Sequence, residues 1–324
     1  MQLGLGLQID RLDRGSVLTK YSPGLTIPGE AFTRASTATY FDANGVLQTA
    51  SSGVKRDSHY VGGVRTLLLE SSVQNVILQN SDCSQAVWSK SFVTTTANAY
   101  TGPNGTLSMM QLASDGSVNK HSVFQTYTST AASWTGYADL HYDNNQWMTL
   151  QLFDGTTDRR ACFDILNGVL GITTNGATSR IASLGGNNYR CYITIAAAAG
   201  AGTIQIGFTN ANDAGLNALA LTGAKVGIAN VQAVASAFAS SSIATTTAAV
   251  TRAVDAYSIS GVTASGSPRL YQRYWDLATS AWVDSDTAYT SGAAIVPAVD
   301  RAYAGIGVFR AALTTAQYRA ALGI

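Results

Sequence analysis

Between residue 75 and about residue 255 the chain cannot run far in one direction before the sequence turns it. Gly102-Pro103-Asn104-Gly105, Asp115-Gly116, Asp154-Gly155, Asn167-Gly168 and Gly185-Gly186-Asn187-Asn188 recur at spacings that leave room for short strands. Strands are expected at 135–142, 146–153, 160–165, 189–195, 203–208 and 225–231, where apolar and polar residues alternate or β-branched and aromatic residues gather. Six or more antiparallel strands hide their apolar sides by stacking in two sheets. A mainly β fold follows, with an antiparallel jelly-roll β-sandwich over 75–255.

Composition narrows the function classes. Of 324 residues only 12% are charged and the net charge is +1, so the clustered Lys and Arg of a nucleic-acid binder are missing. No basic run suits an anionic membrane, and no apolar run reaches the length of a membrane-spanning helix. The opening "MQLGLGLQIDRLDRGS" has Asp10 and Asp13 where a signal peptide would carry its apolar stretch, so synthesis in the cytoplasm is expected. Cys83, Cys162 and Cys191 are odd in number, far apart and without a CxxC. Buried free thiols are the expectation.

Four parts are expected along the chain. Residues 1–25 read as an N-terminal anchoring arm. Residues 26–74 read as a small β-motif, with Asn44-Gly45 as a turn and "RTLLLESS" as an apolar strand. The sandwich follows, and the nearly chargeless "ASAFASSSIATTTAAV", 235–250, is expected to lie on it as an extended strap. Residues 256–324 read as a C-terminal β module with a terminal helix. Thr314 and Gln317 have capping-box spacing and Gly323 is placed to stop that helix.

The stretch "TGYADLHYDNNQWMTLQLFDG", 135–155, reads as a hairpin turning at Asp143-Asn144-Asn145. Counting back pairs Leu140 with Met148, Ala138 with Leu150 and Gly136 with Leu152 on an apolar face. The other face then carries His141 beside Trp147, Asp139 beside Thr149 and Tyr137 beside Gln151, because successive side chains alternate across a strand. Aromatic rings with fixed polar groups suit the C–H faces and hydroxyls of sugars. Trp147, His141, Tyr137, Asp139 and Gln151 are therefore the candidate carbohydrate-binding residues, with Trp147 as stacking platform and Trp134 at the rim. Cys162, Asp164 and Gln205 would extend the strip from neighbouring strands. Trp275 and Trp282 form an alternative aromatic site, although their spacing also suits a small local core.

"RASTATYFDANGVLQTA", "RTLLLESSVQNVILQNSD" and the closing "SSSIATTTAAVTRAVD" together resemble the bacteriophage head-spike and fibre proteins, relatives of which occur in gene transfer agents. The similarity spans about 30–255 and is most specific at 34–45, 70–80 and 251–255. It departs where Val73 and Gln74 replace an Arg-Thr pair and around His59. The resemblance implies a virion surface protein, made in the bacterial cytoplasm and often trimeric, that holds host cell-surface polysaccharide through a jelly-roll module. It implies an arm docked on other virion or capsid proteins.

Two other classes compete with a non-catalytic adhesin. A polysaccharide depolymerase needs a spaced carboxylate pair, but the chain has just two Glu, Glu30 and Glu70, both in the small β-motif; an Asp139–Asp164 pair across neighbouring strands is the remaining option. A purely structural fibre or capsid-decoration subunit would suit the low charge, since interface cores are depleted in charge. A tail-fibre adhesin is a further variant. His59, His121 and His141 lack metal-ligand spacing. No cofactor is expected beyond a structural calcium, for which Asp82 and Asn230, with Gln232, are candidates.

Overall fold

The strands form where the turn residues and the alternation put them. In the computed structural model, which describes residues 17–213, 215–262, 266–277, 279–296 and 300–324, one compact unit comprises Gly45–Gln48 and Val73–Arg252. Its sandwich strands, in chain order, are β1 (Ser89–Ser91), β2 (Val93–Thr101), β3 (Leu107–Asn119), β4 (Ser122–Ser129), β5 (Ala132–Tyr142), β6 (Trp147–Phe153), β7 (Asp158–Asp164), β8 (Val169–Thr173), β9 (Thr178–Gly185), β10 (Asn188–Ala197), β11 (Gly200–Thr209) and β12 (Leu219–Val234). Sheet I has the order β9-β10-β5-β12-β3-β2 and sheet II the order β8-β7-β6-β11-β4-β1; every pairing described within them is antiparallel. The expected mainly β sandwich is therefore present.

Alternation decides which side chains enter the core. Ala138 and Leu140 of β5, Ile193 and Ile195 of β10 and Val226 and Ile228 of β12 meet Met148, Leu150 and Leu152 of β6, Phe163 of β7 and Ile204 and Ile206 of β11 in one buried cluster. Burying such side chains is worth about 1.5–3 kcal/mol each, enough to fix the strand register. The strap is as expected. Ser236 carbonyl accepts from Thr135 Oγ1 at 2.9 Å, and Gln232 Nε2 donates to Ser240 Oγ at 2.8 Å while its Oε1 accepts from the Ile243 amide at 2.9 Å. Cys83, Cys162 and Cys191 are free and buried, and burial raises all three thiol pKa values, that of Cys162 to about 11.

The hairpin expected at 143–145 is an arch instead. β5 has β10 on one side and β12 on the other, and β6 has β7 and β11, so neither strand offers an edge to the other. The loop crosses from sheet I to sheet II. Asn144 holds one side of it, donating to the Gly223 carbonyl at 2.9 Å and accepting from the Lys225 amide at 2.7 Å, and buried Asn145 donates to the Trp147 carbonyl at 2.7 Å. The pairs counted along the hairpin survive as contacts through the core: a Cβ on Gly136 would lie 2.9 Å from Leu152 Cδ2.

The second unit contains the segments up to Asn44, Thr49–Ser72 and Ala253–Ile324. Segments 26–74 and 256–324 are thus not two modules. Strand Val64–Leu69 pairs with Arg301–Phe309, which also pairs with Arg269–Asp276, and Glu30–Thr33 pairs with Ala256–Ile259. The physical reason is burial: Leu67 and Leu69 need Tyr257, Tyr303, Ile306 and Val308 to close a core that a motif confined to 26–74 could not supply. The described end of the arm, Val17–Tyr21, is a strand against Arg301–Phe309; residues 1–16 lie outside the described residues. The terminal helix α1 (Thr315–Leu322) has its capping box at Thr314 and Gln317 and ends on left-handed Gly323. Its Tyr318 stacks on Tyr271 at 4.3 Å.

One residue from each of the three sequence segments most specific to the fibre resemblance, Arg34, Glu70 and Asp255, lies in a charged cluster of this unit. Asp255 accepts from Arg34 at 3.0 Å and from Arg56, and Arg56 also binds Glu70; all four side chains are buried. Arg34 further donates to the Ser36, Ser51 and Val54 carbonyls at 2.8, 2.7 and 3.0 Å. Removing one member of such a cluster strands a buried charge, whereas its net contribution to stability is small. Glu30, the other glutamate, pairs with Lys55 at 2.7 Å.

Candidate functional site

Because the arch separates β5 from β6, the five candidate sugar ligands lie on opposite outer faces. Tyr137, Asp139 and His141 belong to sheet I; Trp147 and Gln151 belong to sheet II. On sheet II, Gln151 is 8% exposed and its Oε1 accepts from Arg160 Nε at 3.0 Å. Thr149 and Cys162 are buried beside it; Cys162 Sγ donates to the Ala211 carbonyl at 3.5 Å, and Leu216 lies over Gly207. Trp147 does pair with Asp164, and Gln151 with Gln205, as the extended strip required. Asp164, however, is engaged by Gln146 and Asn167. It is in the sheet opposite Asp139, which removes the carboxylate pair considered for catalysis. Trp134 is core rather than rim, 3% exposed against Tyr127.

The outer face of sheet I holds a continuous run of polar and aromatic side chains. At one end Tyr137 is fully buried, its hydroxyl on Gln232 Oε1 at 3.2 Å under the strap. Beside it on β10, half-buried Tyr192 packs at 5.6 Å, and the exposed Arg180 guanidinium lies 4.3 Å over the Tyr192 ring. Asp139 is also fully buried, so it and Tyr137 do not project into water as the hairpin reading required. Arg190 clasps Asp139 through two hydrogen bonds of 2.6 and 2.8 Å, and Asn230 adds a third at 2.8 Å. Burial by itself would lower the Arg190 pKa, but the Asp139 charge outweighs it and the pKa stands well above its ordinary value. Asn230 adopts a left-handed φ of 50° at an irregularity in the β5–β12 register, which swings its amide onto Asp139.

The other end is open. His141 stacks on Tyr100 of β2 with ring centres 4.6 Å apart, and the Tyr100 hydroxyl donates to Asp143 at 2.6 Å while accepting from Gln111 Nε2 at 2.7 Å. Burial, then the Asp143 hydrogen bond, push the Tyr100 pKa up to about 12, so the phenol remains a donor. Asn188 donates to the Thr101 carbonyl at 3.2 Å, which turns its Oδ1 toward His141 Nδ1 at 3.1 Å. With that oxygen accepting, Nδ1 is the donor and, in the Nδ1–H tautomer, Nε2 is an acceptor that has no hydrogen bond among the described residues. The rings close in because β12 has glycine beneath them. A Cβ on Gly227 would lie 2.7 Å from His141 Cβ and 2.8 Å from Tyr100 Cδ2.

Of the five candidates, the structure brings His141 into this open cluster and sets Asp139 and Tyr137 as its buried support. Tyr100, Gln111, Asn188, Arg190 and Tyr192 were missed. Alternation in "NYRCYITI" carries a signal for Arg190 and Tyr192, since Cys191, Ile193 and Ile195 point inward; Tyr100, in a Thr-rich stretch, carries none. The proposed calcium ligands are otherwise engaged. Asp82 closes its own turn on Ser84 and Gln85, Asn230 binds Asp139 and Ser81, and no group of three His, Cys, Asp or Glu suited to a metal occurs among the described residues. Trp275 and Trp282 are a half-buried, edge-to-face cross-strand pair at 5.6 Å, with Arg273 over Trp282, and belong to neither core cluster of their unit.

No protein-family model matches the chain, and no curated protein matches it. Among solved structures, it is similar to the CBM22-1–GH10 modules of Clostridium thermocellum endo-1,4-β-D-xylanase 10B complexed with xylohexaose, at 13% identity and a TM-score of 0.29. The likeness covers 54% of this chain and 30% of that one. At that score it carries no functional weight.

Proposed function

We propose that this chain is a non-catalytic carbohydrate-binding protein whose ligand lies along the outer face of sheet I, from Tyr192 toward Tyr100 and His141. The observation that carries the reading is the stacked His141–Tyr100 pair. It combines a half-exposed aromatic surface with polar atoms fixed by second partners: a phenol held by Gln111 and Asp143, and an imidazole Nε2 left free to accept a hydroxyl. Sugar recognition asks for that combination.

A non-catalytic role is consistent with the carboxylates. Asp139 is neutralised by Arg190, Glu70 by Arg56 and Glu30 by Lys55, so none is a free acid or base at a sugar-sized separation from another. Taken with the sequence resemblance to head-spike and fibre proteins, the reading is of a virion surface subunit, acting in several copies, that grips host polysaccharide. Linked copies would turn weak single contacts into retention stronger by about 10²–10⁴.

The test is binding of the full chain to a glycan array and to whole bacteria, wild type beside His141→Ala. Retention on at least one glycan, weakened by about tenfold or more in the variant, supports the proposal. No retention, or retention indifferent to His141, contradicts it. Release of reducing ends from a bound polysaccharide would contradict the non-catalytic part.

A further inference from the structure

Arg180 stands apart from the other arginines of the sandwich unit. Arg159 pairs with Asp154, Arg160 with Asp158 and Arg190 with Asp139, and Arg252 donates to Ser241. Arg180 is exposed, lies flat over Tyr192, and makes no hydrogen bond or ion pair among the described residues. Its charge is therefore not spent on the fold. Resting on a ring also limits the orientations of the guanidinium, so less freedom is lost when the planar fork meets an anion.

The same face has a second uncommitted cation. Lys225 of β12, half-buried near the His141 end, uses its backbone amide on Asn144, while its ammonium makes no hydrogen bond or ion pair among the described residues. In sheet I the Arg190 and Asp139 charges cancel, Asp143 of the arch already accepts from Tyr100, and Asp115 of β3 closes its own turn on Ser117. Arg180 and Lys225 are thus cations of this sheet with no acidic partner among the described residues, while its acids are engaged by other donors. A neutral glycan gives an exposed arginine nothing to neutralise.

We infer that the ligand is an acidic polysaccharide, with a sugar carboxylate of the hexuronic acid kind bound bidentately by Arg180 where it covers Tyr192. This rests on the carbohydrate-binding reading and names the ligand class for that surface. The fork of Arg180 matches the two oxygens of a carboxylate in one plane, which a single hydroxyl cannot do. Tyr192 supplies apolar surface next to it for the pyranose ring.

The probes are polygalacturonate, alginate and hyaluronan, each beside its carboxyl-reduced neutral form, with a neutral-glycan panel and a phosphate-bearing mannan, all against the full chain and its Arg180→Ala variant. The expected result is that at least one acidic polymer binds about tenfold or more tightly than its reduced form, that Arg180→Ala abolishes this preference, and that added salt weakens the acidic form alone. Equal binding of both forms, or a preference that survives Arg180→Ala, overturns the inference while leaving glycan binding in place. So does binding confined to neutral glycans, or equal binding of the phosphate-bearing mannan. If no glycan of any kind binds, the underlying reading falls with it.

Discussion

Arg190 holds Asp139 by both carboxylate oxygens, at 2.6 and 2.8 Å, with the Arg190 guanidinium lying 4.4 Å from the centre of the Tyr137 ring. The pair crosses from β10 to β5 beneath the face on which Tyr192 and His141 stand.

Replacing Arg190 by Ala leaves Asp139 charged, buried and held only by Asn230. The expected loss is about 3–5 kcal/mol of unfolding free energy, read from urea denaturation of the full chain. The double variant Asp139→Leu/Arg190→Met should recover most of it, because no isolated charge remains. A single variant as stable as the wild type would contradict the clasp.

Gly136 sits against Leu152 through the core. Gly136→Ala should destabilise by about 1–3 kcal/mol through overpacking, and Leu152→Ala alone by about 2–5 kcal/mol through a cavity. Combined, the two should cost clearly less than their sum, since the new methyl enters the space vacated by the leucine. Additive costs in a double-mutant cycle would mean that the two residues are not in contact.

His59 gives the other unit a pH dependence. Burial, with the Arg56 charge adding to it and Glu70 opposing, pushes its pKa down from 6.5 to about 4, while Nδ1 accepts from the Phe41 amide at 3.2 Å. The unfolded chain takes up the proton near 6.5 and the folded chain resists until about 4. The stability of keeping His59 neutral is therefore fully present above pH 6.5 and is lost as pH falls toward 4, by about 2–3 kcal/mol. In His59→Gln that loss should be missing, so its difference from the wild type narrows across the same interval. Parallel stability curves from pH 7 to 4 would exclude His59 as the cause.

Strand positions were legible in the sequence because turn residues and alternation are local properties. Pairing is not local. In 135–155 the alternation correctly divided inward from outward residues, and the inward set Ala138, Leu140, Met148, Leu150 and Leu152 is the core seen. A four-residue connection serves both a hairpin and an arch, though, and only the outward residues distinguish the two. What decides is that β10 and β12 occupy both edges of β5, a fact written in residues 188–234. The His141–Tyr100 stack was out of reach for the same reason: β2 and β5 share a face only because β12 and β3 lie between them. The cap of α1, by contrast, lies within ten residues and was readable in full.

The most direct measurement compares glycan binding by Gly227→Ala and Trp147→Ala, two single substitutions on opposite sheets of the sandwich. A methyl at Gly227 drives apart the His141 and Tyr100 rings, so binding should fall by about tenfold or more, whereas Trp147→Ala should bind as the wild type does. Binding kept in Gly227→Ala and lost in Trp147→Ala would put the glycan on sheet II and contradict the account.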